Sequence, residues 1–191
     1  MKILLKLLIL LSIISCSKNE NTLKQFSNYE IEFQKQKIQY PNNEFSLFIP
    51  SGWEWKIEEY DNIKLAIDAV SQPDENGLVD IISIQKIKSF GDKKDLESEF
   101  KYCLELIENS HYDRSIVESG LTNILNQKSY FIHTKPNTEN KGESEAISFI
   151  LETDKEGIFY NLTASASQTK NIKKKMAIMI QSLETFKMKP D

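Results

Sequence analysis

The sequence has little cysteine, little histidine and no long hydrophobic run. Cys16 and Cys103 are the two cysteines among 191 residues, which excludes the disulfide network that many small secreted domains use in place of a large core. The two histidines are His111 and His133, whereas a zinc site normally needs three or four ligands with local pairing. The apolar run over residues 7–14 is shorter than the roughly 17–25 residues of a membrane-spanning helix, so a transmembrane segment is excluded there.

Motifs of the common enzyme classes are also missing. The chain has no G-x-S-x-G elbow, no H-E-x-x-H helix and no glycine-rich phosphate loop. We therefore expect no catalytic residue and no cofactor, and we predict that the protein is not an enzyme. The formal charge of −4 argues against nucleic-acid binding, which calls for a basic face.

The first sixteen residues have the organisation of a secretion signal. Two lysines in residues 1–6 precede the apolar run over residues 7–14, which has the length of a signal-peptide core. The quartet IISC at residues 13–16 resembles the lipobox of bacterial lipoprotein precursors, in which an aliphatic, a variable and a small residue precede cysteine. The resemblance implies cleavage between Ser15 and Cys16, diacylglycerol on the Cys16 thiol, and acylation of the new amino terminus. Cleavage would take the formal charge from −4 to −6, because both lysines leave.

Lipid on Cys16 makes the membrane a partner through an anchor, not through a spanning segment. One acyl chain binds a bilayer only reversibly, at roughly 0.8 kcal/mol per buried methylene, and two or three chains make the attachment permanent. Ser17 follows the cysteine where inner-membrane lipoproteins carry an acidic residue. By resemblance to these sorting rules, we expect the cell outer membrane. Residues 18–20 match a surface-export signal imperfectly, which leaves both the periplasmic face and the cell surface open.

The length of the chain fits one folded domain. We predict a signal peptide over residues 1–15, a lipidated cysteine with its tether over residues 16–40, and a globular domain over residues 41–191. The tether is predicted because residues 17–24 are polar and lack hydrophobic periodicity. Apolar residues alternate over residues 29–33, which fits either a first strand or part of the tether.

Hydrophobic periodicity in the domain changes between that of strands and that of helices. Three- and four-residue spacing predicts a helix from Asp92, as its N-cap, to about Asn109, and an amphipathic closing helix over residues 172–186. Strand meanders around these helices predict an α+β fold with an antiparallel sheet. Alternation predicts the strands at residues 45–49, 53–57, 63–70, 78–88, 115–125, 128–134, 146–153 and 158–166.

A family resemblance starts with the segment FSLFIPSGWEW at residues 45–55. A short strand followed by proline, glycine and tryptophan is similar to the opening of PsbP-like domains, and the order of elements extends the resemblance over residues 44–187. The resemblance implies a single-domain α/β/α sandwich around a twisted antiparallel β-sheet, with a long C-terminal helix. It also implies an accessory or binding role.

Trp53 and Trp55 are the candidate residues for a partner or pocket surface. They are predicted to share one strand face, either as packing beneath the closing helix or as an aromatic edge of a pocket or interface, where tryptophan is enriched. Trp55 is expected to be the more exposed of the two. Cys103 lies on the apolar stripe of the first predicted helix, so we expect it to serve as a small buried hydrophobic residue.

A metal site would have to combine His111, Asp113 and His133, and we expect none. His111 follows the first predicted helix, and the dipole at that helix end is enough to explain a histidine there. The lysines at residues 173–175 could touch anionic lipid headgroups. The simpler interpretation is a solvated helix face.

These features predict a non-catalytic accessory or binding lipoprotein of the cell envelope, with an envelope protein as its partner. One alternative is a carrier of a small ligand or lipid in the periplasm, which requires a pocket between the sheet and the closing helix. The other alternative is an immunity or inhibitor protein against an envelope toxin.

Overall fold

Single helices separate runs of strands along the chain in the computed structural model, which describes residues 22–39, 44–58, 65–110, 114–137 and 143–188. The described helices are α1 (Thr22–Ser27), α2 (Leu96–Glu108) and α3 (Ile172–Leu183). The strands are β1 (Lys35–Gln39), β2 (Phe45–Pro50), β3 (Glu54–Glu58), β4 (Leu65–Val70), β5 (Ile81–Lys88), β6 (Arg114–Thr122), β7 (Ser129–Pro136), β8 (Ser144–Glu152), β9 (Ile158–Ser167) and β10 (Lys187–Met188).

The strands form two antiparallel sheets. The larger sheet has seven strands in the order β3-β4-β5-β9-β8-β7-β6, and the smaller has the order β1-β2-β10. This arrangement confirms the predicted α+β class. Residues on β5, β7, β8 and β9 alternate between two hydrophobic clusters because successive side chains of a strand point to opposite faces.

Each face of the large sheet is covered by a helical layer, as the family resemblance implies. Helix α3 lies on one face together with α1 and the small sheet, and its inward residues are fully buried: Met176, Ala177, Met179, Ile180 and Leu183. Helix α2 lies on the other face and packs chiefly against β7 and β8. The neighbouring strand β9 is therefore only partly covered on the α2 side.

The closing helix is shorter than predicted. Helix α3 ends at Leu183, and the chain then turns so that Phe186 enters the core and β10 pairs with β2. The three- and four-residue spacing of apolar residues continues to Phe186 because the turn after α3 directs Phe186 into the same core as the inward face of the helix. None of the helices in the described parts of the chain is long and apolar enough to cross a membrane.

The N-cap of α2 is Asp95 and not Asp92. The Oδ1 atom of Asp95 accepts a hydrogen bond from the backbone N–H of Ser98 at 2.9 Å, and its Oδ2 atom accepts one from the Ser98 hydroxyl at 2.9 Å. These bonds, the backbone one foremost, lower the pKa of Asp95. The cap lies three residues later than predicted because Asp95 stands three residues before Ser98, the spacing at which an N-cap side chain accepts from a backbone N–H of the first turn.

The folded unit extends into the segment that the sequence predicts as tether, residues 16–40. Helix α1 lies within the predicted tether, yet Leu23 is only 1% exposed and Phe26 is buried in the same core. The Gln181 side chain on α3 donates hydrogen bonds to the backbone carbonyls of Phe26 and Tyr29, at 3.2 and 2.9 Å. One helical turn with two apolar residues is too short to show periodicity, so its role depends on the α3 surface that it covers.

The predicted hairpin of β8 and β9 is confirmed. It closes through residues 153–157, where the Ile158 N–H donates to the Lys155 carbonyl at 3.1 Å. Gly157 adopts a φ of 68° in this turn, a left-handed conformation that costs a side-chain-bearing residue energy.

Gly157→Ala is expected to lower the free energy of unfolding by about 1–2 kcal/mol, because alanine is strained at this φ. Its Cβ would also lie 2.9 Å from the flexible Lys94 Cδ, which can move away. Urea unfolding followed by circular dichroism measures the effect. Gly91→Ala is the matched control, since a Cβ there meets only the Lys93 carbonyl oxygen, at 3.8 Å. Equal destabilisation of both variants would contradict the prediction.

Candidate ligand cleft

A cleft with two lobes opens on the α2 side of the large sheet. The larger lobe has a volume of about 560 Å³. The smaller lobe, of about 190 Å³, lies beside it along α2. The two share Leu106, Ile107, Ile132 and Ser148, so they form one recess. The larger lobe is also lined by Ser110, Arg114, Thr134, Ala146, Thr163 and Ser165, and the smaller by Cys103, Ile150 and Asn161.

The cleft exists because α2 is short and lies to one side. Its 13 residues extend for about 20 Å over β7 and β8, so part of the outer face of β8 and β9 forms an open floor. On this floor Thr163 pairs in register with Ser148, and their hydroxyl oxygens are 2.9 Å apart. The floor is therefore polar, with these two hydroxyls bonded to each other.

The wall of the cleft is apolar. Leu106 on α2 is 51% exposed, and Ile107 beside it is half-buried. Ile132 on β7 is buried at the base. The exposed Leu106, beside the half-buried Ile107 and the buried Ile132, presents hydrocarbon surface that a ligand can cover.

Arg114, the only arginine of the chain, is the first residue of β6 and lies at the cleft. Its Nη2 atom donates to the carbonyl oxygen and the hydroxyl of Ser144, at 2.7 and 3.0 Å, and its Nη1 atom donates to the Thr134 hydroxyl at 3.4 Å. Ion pairs of the described residues join lysine or histidine to carboxylates, and none includes Arg114. The guanidinium is thus held in place by neutral partners.

Cys103 lines the smaller lobe. Burial first, and the nearby Glu99 carboxylate second, raise the pKa of the Cys103 thiol to about 11. The thiol is therefore neutral near pH 7, in agreement with the predicted packing role. It lies at the wall of a recess and is not fully enclosed.

The two tryptophans lie away from the cleft. Trp53 precedes β3, is half-buried and packs against the core on the α3 side, while its carbonyl accepts a bond from Gln36 Nε2 at 2.8 Å. Trp55 pairs with the buried Ala69 and is 42% exposed at the sheet edge, which agrees with its expected greater exposure. The α3 side, where the carrier alternative requires a pocket, is occupied by buried side chains, and the cleft opens on the opposite face.

Ser15, Cys16, His111 and Asp113 lie outside the described residues. His133 is fully buried on the α3 side, where its Nε2 atom is 2.7 Å from Glu145 Oε1. No group of three or more histidine, cysteine, aspartate or glutamate residues in the described part of the chain could hold a metal ion.

Two of the three lysines at residues 173–175 lie on a solvated face of α3, as their spacing indicates. Lys173 and Lys174 are exposed, and Lys175 Nζ lies 3.0 Å from Asp80 Oδ1.

Nothing in the sequence pattern points to the cleft. Its lining comes from α2 and four strands, and adjacent hydroxyls such as those of Ser148 and Thr163 are 15 residues apart. Arg114 could have been noticed only as the sole arginine of the chain.

Comparisons with known proteins agree with this architecture. The model of the PsbP family matches residues 34–188. Three solved structures are similar to the chain: CyanoP from Synechocystis sp. PCC 6803 (TM-score 0.58, 11% identity, 84% of this chain and 95% of that one), the Saccharomyces cerevisiae Ran-binding protein Mog1p (0.56, 10%, 82% and 96%) and LpqN from Mycobacterium tuberculosis (0.55, 13%, 82% and 91%). At these identities the structures show a common fold. No curated protein matches the sequence.

Proposed function

Since this chain belongs to the PsbP family, we propose that it is a non-catalytic binding protein of the cell envelope, held at the outer membrane by lipid on Cys16. The observation that carries the binding role is the open cleft beside α2, with one apolar wall and a positively charged residue. The described residues that line its larger lobe include serine, threonine and arginine but no aspartate, glutamate or histidine that could act as a general base. This lining suits binding better than catalysis.

Two further points support an envelope role. The quartet at residues 13–16 has the pattern of a lipoprotein processing site. LpqN, which has the same fold, is described as involved in cell envelope biogenesis, and Mog1p is described as Ran-binding. We propose that this chain binds another protein of the envelope.

With lipid on Cys16, the early start of the folded unit would place the domain close to the bilayer. Helix α1 begins at Thr22, and five residues separate it from Cys16. Even a fully extended chain would span only about 20 Å over this distance. A lipidated Cys16 would therefore keep the domain near the membrane surface, within reach of membrane-embedded partners.

Cys16→Ala is expected to abolish metabolic labelling of the protein by palmitate and to release it from the membrane fraction, because the acyl chains supply the anchor. The matched control is Cys103→Ala, which removes the other thiol and should leave labelling and fractionation unchanged. Fluorography and fractionation of cells that express each variant measure both effects. Labelling that persists in Cys16→Ala would contradict the proposed anchor.

The binding role is tested by affinity capture of the intact lipoprotein from crosslinked cells. We expect a specific envelope protein to be recovered with the wild type and to be depleted with Cys16→Ala, since the partner is reached only from the membrane. Recovery of the same proteins in equal amounts with both variants would contradict an accessory role at the membrane.

A second candidate function, the carriage of a small ligand, is favoured by the volume of the cleft. Ligand sites typically occupy about 300–1,000 Å³, and the larger lobe alone measures about 560 Å³. The cleft lies on the α2 side of the sheet, not between the sheet and the closing helix as the carrier alternative required. No feature of comparable weight in the described residues favours an immunity or inhibitor role.

A further inference from the structure

We propose that the cleft binds a single-chain amphipathic anion, with its acidic head on Arg114 and its hydrocarbon chain against Leu106, Ile107 and Ile132. A fatty carboxylate and an alkyl phosphate share this chemistry. The proposal rests on the proposed binding role and gives the cleft a ligand class.

The head-group position follows from the geometry of Arg114. Its bonds to Ser144 and Thr134 use both Nη2 hydrogens and one Nη1 hydrogen. Among the described residues, the Nε hydrogen and the second Nη1 hydrogen have no acceptor. A guanidinium binds carboxylate or phosphate more strongly than neutral acceptors. No carboxylate of a described residue neutralises it. An anion bound there would gain a charged partner that is already positioned.

The position of the hydrocarbon chain follows from the apolar wall. Leu106 and Ile107 line both lobes, so apolar surface continues from the larger lobe, where Arg114 lies, to Ile150 in the smaller lobe. Covering an exposed leucine favours binding because apolar surface is removed from water. Lobes of about 560 and 190 Å³ suit one chain.

The charge pattern around the cleft also favours an anion. The described residues that line it are apolar or neutral and polar, apart from Arg114 and the thiol of Cys103, whose raised pKa keeps it neutral. A cationic or zwitterionic head would meet Arg114 without a compensating carboxylate among the described lining residues. The selectivity therefore depends on one residue, which makes it testable by substitution.

The test uses the full chain carrying Cys16→Ala, which bears no lipid of its own, and the fluorescent fatty acid cis-parinaric acid as the probe. Dodecanoate, dodecyl phosphate and uncharged dodecanol then compete for the probe below their micellar concentrations. We expect at least one of the two anions to compete about tenfold more strongly than dodecanol, and the comparison of the two identifies the preferred head. Equal competition by dodecanol and both anions would overturn the proposal.

Two pairs of substitutions locate the site. Arg114→Gln is expected to weaken probe binding about tenfold, whereas Lys155→Gln, in the turn at the far end of β8 and β9, should leave it unchanged. Leu106→Gln should weaken binding severalfold, whereas Leu121→Gln, an equally exposed leucine on the edge strand β6, should not.

Circular dichroism of each variant establishes that it is folded, and Leu106→Gln remains informative if Arg114→Gln is not. Wild-type affinity in both Arg114→Gln and Leu106→Gln would overturn the proposal, and so would failure of the probe to bind. Either result leaves the labelling and capture outcomes intact, so failure of the ligand class is distinguishable from failure of the proposed envelope role.

Discussion

Phe45→Ala is expected to lower the free energy of unfolding by about 3–5 kcal/mol, the usual cost of removing a buried phenylalanine ring from a core. Phe45 is fully buried on β2. Its ring centroid lies 5.6 Å from that of Tyr160 on β9 and 5.4 Å from that of Phe186. The three rings join the small sheet, the large sheet and the segment after α3, so truncation opens a cavity where three parts of the fold meet.

Phe48→Ala on the same strand is the matched control. Phe48 is 38% exposed, so its replacement should cost about 1 kcal/mol or less. Urea unfolding followed by tryptophan fluorescence gives both values from the shift in midpoint at constant slope. If the two substitutions proved equally costly, β2 would not contribute its buried face to the core as described.

His133→Leu is expected to cost about 3–5 kcal/mol, since breaking a buried ionisable pair leaves its partner uncompensated. His133 is fully buried and Glu145 is 3% exposed, with 2.7 Å between Nε2 and Oε1. Lys135 Nζ lies 3.4 Å from the same carboxylate oxygen, but the lysine side chain is 45% exposed and compensates only in part. The His133 ring lies edge-on to Phe26 of α1, so the pair lies beneath the segment that precedes the family match.

The double substitution His133→Leu with Glu145→Leu separates pairing from packing. Replacing both members of a buried pair with apolar residues is often close to neutral, so the double variant should be more stable than the sum of the single effects allows. Purely additive losses in the thermodynamic cycle would contradict a coupled pair. Lys135→Gln should change stability by less than about 1 kcal/mol.

Acid should weaken the same pair. Burial raises the pKa of Glu145, but the hydrogen bond and charge of His133, together with Lys135, outweigh it and lower the pKa below 4.5 in the folded protein. Stability from this carboxylate is therefore fully present above pH 4.5 and is lost as the pH falls through the lowered pKa. As the pH falls below 4.5, the free energy of unfolding of the wild type should therefore decrease more than that of the double variant.

Local pattern predicted most of the framework. Alternation of apolar residues identified β8 and β9, and three- and four-residue spacing identified α2 and α3. These predictions hold because a half-buried strand or helix must repeat its apolar residues at its own period. The ends of the two helices were predicted less accurately. Asp95 caps α2 through Ser98, and α3 ends at Leu183 although the apolar spacing continues to Phe186.

Short and irregular segments depended on their neighbours. Helix α1 spans six residues, and the packing of Leu23 and Phe26 has no periodic trace in the sequence. Residues 29–34 are neither strand nor helix, although apolar residues alternate over part of them. Burial in these segments is decided by the α3 surface, more than 140 residues later in the chain, where Gln181 binds both carbonyls.

The periods of the main elements, and hence the antiparallel α+β class, follow from local sequence, because each period depends on residues within one strand or helix. Which face of the sheet stays open depends on how the layers pack. The position of α2 over β7 and β8 and the strand register bring Arg114, Ser148 and Thr163 to one cleft. Such contacts join residues far apart in the chain, and their geometry follows from the packing of whole layers.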